Sequence, residues 1–232
     1  MSVEPLEPSK PKPSRLSSLF GNIELLIVVL LGLVSVTTAY ASFQASIYDS
    51  QMSASYTRGQ NAATAAESLY LEANQQYIQD VQTWSRLVEL SSDMDGTDPA
   101  LAAAASARFD AIFFVSVSAD LDAAIVWSEV QNDANPDVYT SPFDSEAYND
   151  ALFSGWRQAQ GEADGFVALG DQHNSLGDRL TLNTVLMAIS LFLLGVSAVV
   201  RQRRTQVALI VLAVVIFIFA AALTAGIPFV AI

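Results

Sequence analysis

Few residues in this chain have the types and spacing for chemistry, and each candidate has a plainer use. The run Asp93-Met94-Asp95-Gly96-Thr97-Asp98 sets three carboxylates around a glycine, a hard-oxygen pattern that suits calcium. It lacks the full loop spacing and the closing bidentate glutamate of an EF-hand, so a solvated turn with Asp98 as a helix cap is the expected role. His173, the single histidine, has Asp171 and Asp178 near it. It would suit a pH-sensitive group or a ligand, but one histidine specifies neither. The absence of cysteine removes thiolate ligands, a thiol nucleophile and disulfides together. Ser141, Ser145 and Ser154 have only that histidine to share, and no phosphate-cradling GxxxxGK[ST] or GxGxxG run occurs. No catalytic, cofactor-binding or metal-ligating residue is assigned, no cofactor is expected, and the chain reads as a non-enzyme.

Two charged features lie at the edges of long apolar runs. Arg201, Arg203 and Arg204 form a basic cluster in a chain whose formal net charge is -13. A phosphate-binding patch is one reading, but an acidic protein repels nucleic acid, so no nucleic-acid partner is expected. Glu24 stands inside the first apolar run, where an ionisable residue is costly and often marks an ion pathway. It is close to the expected boundary, and neither of the other two crossings carries an acid or base to continue a relay. An interfacial carboxylate within reach of headgroup water or a hairpin arginine is the simpler account.

These residues are positioned by a strongly apolar framework. Hydrophobic residues make up 52% and charged residues 15% of the 232, and the mean hydropathy is +0.35, which is too apolar for an ordinary soluble domain. Three runs have the roughly 20 residues needed to cross a bilayer as helix. They are expected at residues 22–40, 181–200 and 207–225, with 1–21 as a disordered cytoplasmic tail, 201–206 as a basic hairpin and 226–232 as a short outer tail. Lys10, Lys12 and Arg15 flank the first crossing, and Arg201, Arg203 and Arg204 lie between the second and third. Positive charge concentrates on the cytoplasmic side. Both clusters then agree on a cytoplasmic N-terminus and an outer C-terminus. Residues 41–180, with 5 Arg, no Lys and 21 acidic residues, are placed outside. The pattern Ala39-Tyr40-Ala41 also fits a signal-peptide cleavage site, but the basic region before it is long and proline-rich, and the sequence beyond it continues as helix.

From Ala41 to Ser92 there is no proline, and residues spaced by three and four form one stripe. Tyr56, Gly59, Ala63, Ala66, Tyr70, Ala73, Tyr77 and Trp84 make a heptad-like helix seam in which small residues alternate with aromatics. Residues 145–179 form the returning limb, weakened as a helix by glycines at 155, 161, 165, 170 and 177. Between the limbs, Asp98 and Pro99 start a helix or helix pair to about Gln131, with a strand over 114–118 as the alternative because VSVS alternates. Phe109, Phe113, Phe114, Trp127, Phe143 and Trp156 form a distal aromatic group, expected as core packing or as the wall of a pocket.

The fold class is therefore an all-α membrane protein, with three transmembrane helices and a largely helical extracytoplasmic domain on two long helical limbs between the first and second. TTAYASFQASIYDSQ after the first crossing, ANQQYIQDVQTW, a loop ending SPF, and HNSLGDRLTLNTVLMAISLFLLGVS leading to an arginine-rich hairpin together resemble a family of uncharacterised bacterial three-pass inner-membrane proteins. That resemblance implies topology over about residues 22–225 and carries no activity. The expected function is a non-catalytic scaffold or accessory subunit that associates through helices with itself or another membrane protein, in the lipid bilayer of the bacterial cytoplasmic membrane. The alternatives are an extracytoplasmic sensor or small-solute-binding module without its own signalling domain and, after it, a channel subunit.

Overall fold

The computed structural model describes residues 23–230. They form five α-helices: α1 Ile23–Met94, α2 Pro99–Ser116, α3 Ala119–Ala134, α4 Glu146–Val199 and α5 Arg203–Ala225, with a 3-10 turn at Pro142–Asp144 before α4. No strand occurs among the described residues. The alternating VSVS is instead a helix end followed by a cap. Val117 leaves α2 in extended conformation, and the Ser118 hydroxyl accepts from the Leu121 amide at 3.1 Å to start α3. Asp98 caps α2 as expected, accepting from Ala100 N at 2.9 Å.

α1 runs for 72 residues without a break, consistent with its lack of proline. α4 is equally continuous through its glycines. Added Cβ atoms at Gly155, Gly161 and Gly165 would meet nothing within 4 Å, so these glycines lower helix propensity without serving any close approach, and packing on the other faces holds the helix. The basic hairpin is tighter than the expected residues 201–206. α5 already begins at Arg203, so Arg203 and Arg204 sit in its first turn, where the helix dipole disfavours positive charge. Gln206 braces the turn by donating to Ser197 O at 3.2 Å. Lys10, Lys12, Arg15 and the tail carrying them lie outside the described residues.

α1, α2, α4 and α5 are each long and apolar enough to cross a membrane, by length and composition. The described residues divide into two compact units, 23–54 with 169–230, and 55–168. In the first, Ile27, Val34, Ala41 and Tyr48 are buried at intervals of seven along α1. They pack in one cluster with Leu180, Met187 and Leu194 of α4 and with Ile210, Ala213, Phe217 and Ala220 of α5. An interval of seven keeps one face of a helix against its neighbour. Asn183, Ser190 and Ser197 of α4 repeat at the same interval and are also buried, and the Ser190 hydroxyl donates to Ala213 O of α5 at 2.8 Å. The hydroxyls of Thr37, Thr38 and Thr224 donate to carbonyls four residues back on their own helices, the arrangement a hydrocarbon environment demands of polar groups. The tail after α5 is clasped. Tyr48 donates to Pro228 O at 2.8 Å, and the Gln44 amide donates to Val230 O at 3.3 Å and accepts from Val230 N at 3.1 Å.

In the unit 55–168, the buried residues of α1 include a series at intervals of seven, Gly59, Ala66, Ala73, Asp80 and Leu87, with Ser55 and Leu90 buried at its two ends. At Gly59 an added Cβ would stand 3.1 Å from Val167 Cγ2 and 3.4 Å from Ala163 O, so glycine permits α1 and α4 to approach closely here. Farther along, Leu121, Ala124 and Ile125 of α3 form a core with Tyr148 of α4, with Tyr77, Trp84, Phe113 and Phe143 packed around it. The returning loop is closed by Asn132, which donates to Thr140 O at 2.9 Å and accepts from Thr140 N at 2.7 Å. Ser141 and Asp144 then form a reciprocal capping box.

Candidate functional site

The most unusual residue is Asp80, a carboxylate only 1% exposed at a seam position where its counterparts along α1 are Gly, Ala, Ala and Leu. Burying a carboxylate is costly unless its oxygens are satisfied. Tyr148 Oη donates to Oδ2 at 2.8 Å, Gln76 Nε2 donates to Oδ1 at 2.9 Å, and the Ser118 hydroxyl reaches both oxygens at 3.4 and 3.3 Å. Ser118 also caps α3, so the acid faces the positive end of that helix. Each donor comes from a different place: one turn back on α1, the start of α3, and α4. Burial raises the Tyr148 hydroxyl above its ordinary value of 10.0, and its hydrogen bond to Asp80, with the nearby acids, raises it further. It remains a neutral donor. The Asp80 carboxylate and its donors from α1, α3 and α4 tie three helices together.

Beside this core an open cleft of about 430 Å³ is lined by Trp84, Leu87 and Val88 of α1, Phe109 and Phe113 of α2, Ile125 and Glu129 of α3, and Ser91, Ser92 and Asp95. Phe109 and Phe113 stack nearly parallel, with centroids 6.0 Å apart and planes at 14°. Two of the six distal aromatics thus line a cleft, together with Trp84, assigned from sequence to the seam. The others disperse. Phe143 packs edge-on to Tyr77 at 5.4 Å, Trp156 packs on Tyr70 at 5.3 Å, Trp127 is half-buried, and Phe114 is 90% exposed.

Of the seam residues, Gly59, Ala66 and Ala73 are buried, Tyr56, Ala63, Tyr77 and Trp84 are half-buried, and Tyr70 is exposed. Asp80 and Leu87 complete the buried edge in place of Tyr70. Their signal was the interval of seven, which the alternation of small and aromatic residues masks. Elsewhere, Glu24, Arg201, Arg203 and Gln206 line one wide cleft of about 730 Å³, which brings the acid of the first apolar run and the arginines onto a common surface. His173 lies 6.1 Å from the Tyr48 ring, and its Nδ1 is buried without a hydrogen-bond partner. Among the described residues no three histidines or acids converge as a metal site. Comparison with protein-family models, with characterised proteins and with solved structures gives no match.

Proposed function

We propose that the chain is a non-catalytic integral membrane scaffold or accessory subunit that works by association with itself or another membrane protein. The carrying observation is Phe114, 90% exposed, followed by Val115, 79% exposed, at the end of α2. An apolar pair this open beside a well-satisfied core suits a contact surface. In this reading the crossings are residues 22–40, 181–200 and 207–225, and 41–180 face outside the bacterial cytoplasmic membrane. α2 is left out of the bilayer. Although its length would suffice, it is the least apolar of the four long helices, and Arg108 and Asp110 stand within it. The basic residues before the first crossing and those between the second and third, which fall on one side of the bilayer, support the orientation, and the resemblance to bacterial three-pass inner-membrane proteins supports the number of passes.

The test is mass measurement in mild detergent with identification of copurifying proteins. A complex that Phe114→Ser weakens supports the proposal, and a strict monomer without partners overturns it. Topology is checked independently on the cysteine-free background. An exposed Thr97→Cys should label from outside intact cells and Gln202→Cys should not. The open cleft of the outer unit favours a second reading, a solute-binding or sensory module, because its aromatic walls carry carboxylates and hydroxyls at the edge.

A further inference from the structure

We propose that the cleft between α1, α2 and α3 binds a small organic ammonium ion with an apolar body. The inference rests on the second reading above, that the outer unit takes a solute, and names the chemistry of that solute. Three features of the cleft point the same way. Its floor is apolar, formed by the buried Leu87 and Ile125. Its walls are the indole of Trp84 and the near-parallel rings of Phe109 and Phe113, and aromatic faces attract cations through their quadrupoles, tryptophan most strongly. Its edge carries the carboxylates of Asp95 and Glu129 and the hydroxyls of Ser91 and Ser92. Neither carboxylate belongs to the two ion pairs among the described residues, Arg86–Glu89 and Arg157–Asp150.

The surrounding field agrees with the local chemistry. Residues 55–168 contain 4 Arg, no Lys and 18 acidic residues, a formal charge of -14. None of those arginines lines the cleft. Such a field concentrates cations and repels anions, which removes phosphates and carboxylic acids as ligands. A bare metal ion is disfavoured because no three acids or histidines converge among the described residues, and it would make no use of the aromatic walls. A neutral apolar solute would fit the floor and walls but leave both carboxylates unused. The volume of about 430 Å³ lies in the range of roughly 300–1,000 Å³ typical of small-molecule sites.

The experiment uses the full chain in detergent and two matched pairs of probes: choline with its uncharged carbon isostere 3,3-dimethylbutan-1-ol, and phenethylammonium with phenethyl alcohol. Binding is read by calorimetry and by quenching of tryptophan fluorescence. At least one cation is expected to bind saturably and at least about 10-fold more tightly than its neutral partner. The double variant Asp95→Asn with Glu129→Gln should weaken cation binding roughly 10-fold. Both side chains are exposed, so its melting temperature without ligand should match that of the parent. Trp84→Leu should weaken both members of each pair. Neutral partners binding as tightly as the cations would overturn the ammonium assignment while leaving a solute-binding unit in place. Cation binding unchanged in the double variant would overturn the location, and silence from all four probes would overturn both the assignment and the solute reading.

Discussion

Replacing Tyr148 with Phe removes one hydroxyl and leaves the ring that packs on Leu121, Ala124 and Ile125. The lost bond is the 2.8 Å donation to Asp80 Oδ2, made to a carboxylate 1% exposed by a tyrosine 2% exposed. A hydrogen bond to a charged group is worth about 1.5–3 kcal/mol, and water cannot replace it at a closed site. Gln76 and Ser118 remain as donors, so the lower part of that range, about 2 kcal/mol, is expected. For a chain of this size that lowers the melting temperature by about 4–8 °C. Tryptophan fluorescence reads the change selectively, because all three tryptophans, at 84, 127 and 156, lie in the unit 55–168. The pH dependence supplies a second check. Tyr148 keeps its proton to higher pH when folded than its ordinary 10.0 allows when unfolded. Its contribution is therefore complete below about pH 10 and falls as pH rises beyond it, by up to about 1.4 kcal/mol per pH unit. The gap between parent and Tyr148→Phe should hold from pH 7 to 9 and narrow above pH 10, while other tyrosines affect both proteins alike. A variant as stable as its parent at pH 7, or a gap that widens above pH 10, would refute the reasoning.

Two glycines of the same unit should respond oppositely to substitution. Gly59→Leu drives a side chain into Val167 and Ala163 and should cost about 1–3 kcal/mol, whereas Gly161→Ala, with nothing within 4 Å of the new Cβ, should gain about 0.5–1 kcal/mol, both read by the same tryptophan melt. Gln44→Leu removes both contacts to Val230. Faster hydrogen exchange at the Val230 amide, with unchanged exchange in α3, is expected. Ser190→Ala loses the bond to Ala213 O and should weaken the α4–α5 pair by about 0.6 kcal/mol, measured by unfolding in mixed micelles.

The long apolar runs and the proline-free stretch after the first of them made the helical architecture readable from the chain, because both signals are local and strongly periodic. The break between α2 and α3 was half-visible. VSVS advertises a strand by alternation, yet Ser118 is used as a cap, a role settled by the helix on either side. Asp80 was hidden for a different reason. Its neighbours in sequence are unremarkable, and its strongest partner is 68 residues away, so only an acid falling at the interval of seven that Gly59, Ala66 and Ala73 establish would have flagged it. The cleft draws walls from three helices and could not be assembled before their packing was known. Phe109 and Phe113 were candidates by type, whereas Asp95 looked like part of a turn and nothing in the local sequence singles out Glu129.

The buried edge of α1 also grows in bulk along its length, from Gly59 through Ala66 and Ala73 to Asp80 and Leu87. Side-chain volume along that edge acts as a ruler for the unit. Where it is smallest, α1 and α4 meet backbone to side chain at van der Waals range. Where it is largest, Asp80 bonds Ser118 at the start of a third helix, α3, and Leu87 lines the cleft beside it. Exchanging large and small residues along that one edge would therefore disturb both the close approach at Gly59 and the lining of the cleft at Leu87 without touching a residue of α2 or α3.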